Sequence, residues 1–433
     1  MKNVSVFSGL YETVKRSYEK IGKPGRILAG VSGGADSVAL LLLLCELRSE
    51  TRCALEAVHI HHGLRSASDG EEAFVTALCE RLNVPLRVCH VHVESGNVES
   101  KARQARYDAF FEVCEEDGFP VIALAHHAAD RAETFLMRSV RGCGEGLGSL
   151  KEKSVREHGV LLWRPLLNAL PGQLREANRE KGQGWCEDES NSDTKYVRNF
   201  LRNEVFPLLE GKIPGSVKGM ARSAEIIGDE QEYMRLEAEK FLTLYARETP
   251  VPSFDAAAFL QVHPALQRHI VRRFFEPVCG EMPFDTVEKV RGMRDRDKVN
   301  LPADHFSVRA GGRIYAVSPT RPEQVGGHLI RTPFAGNTGD GKLSQACPVS
   351  VLRNARLRFR QNGDWICPLG MKGKKSLGDY MTDLKIPLPE RDYVPLLCDG
   401  QEVLWVIGSG VSERMRITEN DECVMLNYCR DEQ

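Results

Sequence analysis

The chain has no C-x-x-C pair and no Cys/His cluster at zinc-ribbon spacing, although it carries 13 cysteines among 433 residues. Irregular spacing and an odd number argue against a zinc ribbon or a disulfide framework. Met1 to Ser8 lacks the apolar stretch of a secretory leader. Reduced thiols and a cytoplasmic location are therefore expected. The longest apolar run, Val38 to Cys45, is far shorter than the roughly 18 residues of a membrane span, so no membrane partner is expected. Net charge is only -2, which removes a uniformly basic nucleic-acid binder but leaves local patches open. No internal repeat or low-complexity tract is visible. What remains is ordinary globular composition, 42% hydrophobic and 27% charged. At roughly 100–200 residues per domain, the length implies two to four domains.

The first two hundred residues alternate in character. Strand-like runs at Arg26–Val31, Ala54–Ile60, Leu86–Val93, Val121–Ala125 and Leu161–Trp163 alternate with helical patterns. The helical patterns fall at Asp36–Arg48, Gly70–Leu82, Val98–Glu116, Asp130–Val140 and Pro171–Lys181. This order predicts an α/β fold with a doubly wound, mostly parallel sheet and a site at the carboxyl ends of its strands. A helical middle domain follows, with helices over Ser216–Ala246 and His263–Phe275. The last hundred residues read as a small α+β domain, with alternation over Val349–Gln361 and a strand at Leu404–Gly408. The expected domains are 1–210, 211–325 and 326–433.

The strongest local signal is Ser32-Gly33-Gly34-Ala35-Asp36-Ser37, set between a strand and a helix. Its glycines allow close approach of backbone N–H groups to an oxyanion, and the helix N-terminus adds partial positive charge. No Gly-Lys-Ser/Thr follows, so this is not a Walker A loop. The second strand runs into His59-Ile60-His61-His62-Gly63-Leu64-Arg65. Histidines adjacent on one strand rarely supply a complete zinc ligand set. On the helix over Val98–Glu116, Arg103 and Arg106 share a face, as do Arg198 and Arg202 further on. His126-His127-Ala128-Ala129-Asp130-Arg131-Ala132-Glu133 follows the fourth strand. There Asp130 and Glu133 lie one turn apart, and capping by Asp130 with Glu133 at N3 is one local reading. Cys143 has no base beside it and is read as a bystander. Near the end, Arg353, Arg356, Arg358, Arg360, Lys372, Lys374 and Lys375 face Asp364 alone in sequence, the footprint of a phosphate-backbone contact.

These segments carry a resemblance. The glycine loop resembles the S-G-G-x-D-S loop of the PP-loop ATP pyrophosphatases. His59–Leu64 resembles their V-H-x-H-H-G-L, and His126–Thr134 resembles H-H-x-D-D-x-x-E-T, with Ala129 replacing the first acid. Trp185–Asp193 with Arg198–Arg202 resembles the W-x-x-D-x-S-N-x-D…R-N-x-x-R stretch of the lysidine synthetases. Gly373–Leu397 resembles their carboxyl-terminal G-x-K-K segment, apolar-Pro turn, Arg-Asp pair and P-L-L. The likeness to the tRNA(Ile)-lysidine synthetase family is strong over 26–210 and good over 345–415.

The resemblance implies a ligase that cleaves ATP to AMP and pyrophosphate. ATP would lie over Ser32, Gly33, Gly34, Ala35, Asp36 and Ser37, with His59 and His61 beside it and Asp36 placing Mg²⁺. Asp36, Asp130, Glu133, Arg106 and Arg202 are the implied catalytic set. Asp130, Glu133, Arg198, Arg202, Arg358, Lys374 and Lys375 are the implied contacts to lysine or tRNA. Implied partners are tRNA(Ile) with a CAU anticodon, L-lysine and ATP, with a homodimer left open. A PP-loop thiolase and an inactive tRNA-binding relative are the alternatives. Against the first stands the lack of clustered cysteines, and against the second the presence of Asp36, Asp130, Glu133 and Arg202.

Overall fold

The structure is a computed structural model that describes residues 5–61, 67–91, 98–142, 146–148, 150–155, 159–187, 194–320 and 325–431. His62 to Arg65, Cys143 and Asp188 to Asp193 lie outside the described residues. The chain divides into two compact units, Met1–Glu232 and Tyr233–Gln433.

The first unit runs α1 (Val6–Lys20), β1 (Arg26–Gly30), α2 (Ala35–Thr51), β2 (Ala54–His61), α3 (Ala67–Arg81), β3 (Leu86–His90), α4 (Val98–Asp117), β4 (Val121–Ala123), α5 (Ala128–Val140), β5 (Lys153–Val155), β6 (Leu161–Trp163) and α6 (Pro171–Glu180). After these come α7 (Val197–Phe200), a π-helical turn over Leu201–Val205, and α8 (Phe206–Lys212). Last is the long α9 (Ser216–Tyr245), which carries the chain into the second unit.

The sheet order is β3-β2-β1-β4-β6-β5, parallel except for the edge strand β5. Side chains alternate between faces along a strand. Ile27, Ala29 and Val31 join Leu55, Ala57, Val121 and Trp163 in one core, with α1, α2 and α6. Leu28, Val58, Ile60, Ile122 and Leu162 enter a second core against Phe110 and Val113 of α4. Burial on both faces is why these strands read as continuous apolar runs. The strand order reverses between β1 and β4, so the loops leaving their carboxyl ends diverge and open a crevice.

Helix α1 had no counterpart in the sequence reading, although Phe7, Leu10, Val14 and Tyr18 recur at helical spacing and are all buried. Ser5 caps it by accepting a hydrogen bond from the Ser8 N–H. The first half of α9 is held to this unit by the Arg131–Glu225 ion pair at 3.2 Å.

Of the expected middle helices, Ser216–Ala246 corresponds to α9 and His263–Phe275 to a helix over Pro264–Cys279 in the second unit; a further helix over Phe284–Arg291 was not expected. They pack on a five-stranded antiparallel sheet that the sequence reading did not assign. Its strands are Ala246–Arg247, Ser253–Asp255, Arg313–Val317, Phe306–Ala310 and Lys298–Asn300. Strands this short give little alternation to read. Beyond them lies a three-stranded sheet of Gly327–Pro333, Cys423–Arg430 and Ser344–Pro348. A six-stranded sheet is centred on Leu396–Asp399 and Glu402–Val406. Tyr315 donates a hydrogen bond to Glu390 at 2.7 Å, fastening the middle sheet to the carboxyl-terminal part.

Candidate active site

The loop after β1 turns sharply at Gly33, whose φ is +92°. A Cβ there would meet Val75 Cγ2 at 3.3 Å, so glycine answers both a backbone and a packing demand. Gly34 caps α2 without a side chain, which leaves the first N–H groups of the helix to a ligand. Ser37 braces the turn. It accepts from the Ser32 N–H at 3.2 Å and donates to the Gly34 carbonyl at 2.9 Å. Its single proton is thus engaged within the loop. Asn178 holds Ala35 O at 2.8 Å, and the Cys186 N–H holds Gly33 O at 3.0 Å. The Trp185–Glu187 segment therefore backs the phosphate loop, a link that nothing local in the sequence signals.

His59 is buried, and its Nδ1 lies 2.9 Å from the Val31 carbonyl. A carbonyl only accepts, so Nδ1 carries the proton. Burial lowers the pKa of His59, which keeps it neutral. It supports the start of the loop from beneath. His61 is also buried, and it turns to Asp69 at 3.1 Å and to the ring of His90.

The second arm of the crevice leaves β4. His127 is the N-cap of α5, and Asp130 stands at N3. The Asp130 N–H donates to His127 Nδ1 at 3.3 Å, and the His127 N–H donates to Asp130 Oδ2 at 2.9 Å. The capping box is therefore one turn earlier than expected, with His127 as cap and Glu133 left free of it. In the neutral ring Nδ1 accepts and Nε2 carries the hydrogen; Nε2 lies 3.4 Å from Asp36 Oδ2, and a second proton would place Nδ1–H against Asp130 Oδ2 at 3.4 Å. His127 thus bridges the phosphate loop to the second arm. Burial opposes a charge on it, but Asp130 and Asp36 outweigh burial and raise its pKa. Its neighbour His126 goes the other way. Burial drives its pKa down to about 3, and its Nδ1 is buried without a partner.

Arg202 completes the cluster from the π-helical turn. It donates to Glu133 Oε1 at 2.8 Å and to Asp130 Oδ1 at 3.1 Å. Such turns often mark sites where a side chain must be re-aimed. The two carboxylates differ. Burial works against the charge on Asp130, but His127, His126 and Arg202 prevail and lower its pKa. Glu133 is almost fully buried, and burial raises its pKa against the pull of Arg202. Ala129, which stands at the first-acid position of the H-H-x-D-D-x-x-E-T pattern, sits in an apolar cluster with Ala132, Phe206 and Val217. A carboxylate there would face that cluster, so its replacement leaves Asp130 and Glu133 undisturbed.

The structure thus joins Asp36, Asp130, Glu133 and Arg202, and adds His127, which the sequence reading quoted but did not select. Arg198 is half-buried one turn before Arg202, and Arg106 sits exposed on α4. In the second unit Arg358 is turned inward. It forms two bonds of 2.8 Å to the buried Asp364 and one to Gly400 O, so it braces that loop instead of offering a free charge. Lys375 pairs with Asp383 and Arg360 with Asp392, partners that sequence proximity did not reveal. Arg353, Arg356, Lys372 and Lys374 are exposed, and Lys374 Nζ lies 3.8 Å from the centre of the Trp365 ring.

Comparison with known proteins agrees with this geometry. Residues 10–209 match the PP-loop domain family, and residues 355–428 match the TilS substrate C-terminal domain family. A tRNA(Ile)-lysidine synthase of Pseudomonas fluorescens is 33% identical over 400 residues, covering 87% of this chain and 87% of its own. One from Pseudomonas putida is 34% identical over 395 residues, covering 87% and 90%. One from Caldanaerobacter subterraneus is 29% identical over 461 residues, covering 96% and 97%. With both segments matched, and a third of positions identical along most of both chains, this chain belongs to the tRNA(Ile)-lysidine synthase family.

Proposed function

We propose that this chain converts the wobble cytidine of tRNA(Ile) with a CAU anticodon to lysidine, which changes the codon read from AUG to AUA. The cytidine O2 attacks the α-phosphorus of ATP, pyrophosphate leaves, and the base carries AMP. The ε-amine of lysine then attacks C2, the C2–O bond breaks, and AMP departs. The observation that carries this reading is the bridge made by His127. It places the phosphate-loop carboxylate Asp36 and the amine-side carboxylate Asp130 in one crevice.

The N–H groups of Gly33 to Asp36 receive the polyphosphate, where charge develops as pyrophosphate departs. About one third of the Asp36 side chain is exposed (37%), so its carboxylate suits Mg²⁺, which would neutralise phosphate charge when bound. Asp130, the more exposed of the two amine-side carboxylates, anchors the lysine ammonium. Glu133, whose pKa burial raises, is the better proton acceptor. Arg202 holds both in place. Arg106 and Arg198 supply further positive charge to triphosphate or tRNA. Residues 326–433 hold the tRNA backbone through Lys374 and its exposed neighbours. Cytoplasmic work fits a chain in which no described helix is long and apolar enough to cross a membrane.

The test separates the two halves of the reaction. With ATP labelled at the α-phosphate, Mg²⁺ and tRNA(Ile) transcript but no lysine, label should accumulate on tRNA. Added lysine should discharge it as AMP. A reaction in which lysine is consumed without any tRNA-bound AMP contradicts the proposal.

A further inference from the structure

Strands β2 and β3 are parallel neighbours, and their registers pair His61 with His90. Residues in register on adjacent strands face the same side of a sheet, and the two rings lie 4.7 Å apart. Helix α3 returns over that face. Its Glu72 brings Oε2 to 3.6 Å from His90 Nε2. One donor atom from each of His61, Glu72 and His90 lies within 4.8 Å of the other two. Metal bonds of about 2.0–2.2 Å in a tetrahedron put donor atoms roughly 3.3–3.6 Å apart, which small rotamer changes reach from here. Asp69, one turn before Glu72, lies 3.1 Å from His61 Nε2. A carboxylate on a ligating histidine fixes its ring and raises its basicity.

Zinc ligation by neighbouring histidines of a single strand was set aside on sequence grounds. The approach found here is a different one, across two strands and onto a helix. Among the described residues the side-chain donors here are two imidazoles and one or two carboxylates. That set suits zinc, cobalt or nickel better than magnesium or calcium, which favour all-oxygen shells. Cys89, next to His90, packs toward the opposite core with α4 and is not a donor. His61 is buried, Glu72 half-buried and His90 exposed, so the group is anchored on one side and open to water on the other.

We propose that His61, Glu72 and His90 form a site for one divalent transition-metal ion of the zinc class, with Asp69 supporting His61. The bound ion ties the carboxyl ends of β2 and β3 to α3, at the same carboxyl-terminal end of the sheet from which the phosphate loop leaves β1. The site is separate from the Mg²⁺ proposed at Asp36.

The test uses the full chain, stripped with chelator, without ATP or tRNA. Cobalt(II) is followed by visible absorption and zinc(II) by calorimetry. The variants are Glu72→Gln and His90→Ala, both at side chains with solvent exposure, and circular dichroism checks that each is folded. His61 stays untouched because it is a candidate ATP contact. The expected result is one ion per chain, visible bands of a low-coordinate nitrogen/oxygen site, and an affinity on the order of 10–100-fold weaker in each variant. Zinc bound equally well by wild type and both variants overturns the proposal, as does wild type that binds none. A near-ultraviolet thiolate charge-transfer band would place the ion on cysteines elsewhere and overturn it equally.

Discussion

Loss of the second ring proton of His127 would leave Asp36 and Asp130 as two carboxylates in one crevice with Arg202 as their remaining neighbour of opposite charge among the described contacts. This histidine is therefore a linkage point. Its folded pKa lies above the ordinary 6.5. Its stabilising contribution is fully present below the unfolded value and is lost as pH rises through the folded one. The stability gap between wild type and His127→Gln should be widest below about pH 6.5 and shrink as pH rises above it in urea titrations. A gap that does not change with pH contradicts the charged bridge. Asp36→Ala should abolish release of pyrophosphate, measured directly, while the protein stays folded. On the proposed mechanism, Asp130 and Glu133 should separate kinetically. Asp130→Asn should raise the KM for lysine, whereas Glu133→Gln should lower kcat by about 10²–10⁴-fold. Equal effects of both on KM alone would remove Glu133 as proton acceptor. Most of these residues were legible in the chain because each stands at a strand end in a dense polar motif. His127 was visible but was not selected, since its role depends on Asp36, a residue from a distant loop.

At the scale of elements, the phosphate turn and helix α5 carry the most specific demands. Gly33→Ala forces an L-residue to φ near +92° and presses on Val75, which should cost about 1–2 kcal/mol and weaken ATP binding. Equilibrium denaturation and nucleotide titration check the two halves separately. Ala129→Asp, which restores the acid common at that point of the motif, should destabilise by ~2 kcal/mol or more. It would bury an unpaired carboxylate among Ala132, Phe206 and Val217. A neutral or stabilising result would mean that this position opens to the crevice. The parallel strands could be read from the sequence because both faces are buried and their apolar runs are unbroken. The middle sheet could not, since its strands span only two to five residues and give little alternation to read.

For the whole molecule, charge is arranged locally and its sum is nearly zero. Counting residues along 353–375 found basic side chains facing Asp364 alone, but folding brings Asp383 and Asp392 to Lys375 and Arg360. Those partners lie in later segments, which is why the sequence overstated the free charge. Lys374→Ala should therefore weaken tRNA binding and lower its salt dependence with ATP binding unchanged, as a filter-binding series across salt would show. Arg358→Ala should act differently. It would strand the buried Asp364 and cost about 3–5 kcal/mol of stability. An Arg358→Ala protein of normal stability but weak tRNA affinity would return that residue to the binding surface.

The most direct measurement is transfer of labelled lysine to bulk bacterial tRNA by the purified chain with ATP and Mg²⁺. The account expects label that stays on the tRNA through mild alkali, which strips an aminoacyl ester but not a lysine–base bond. Label removed by alkali, or none at all from a folded protein that binds ATP, would contradict it.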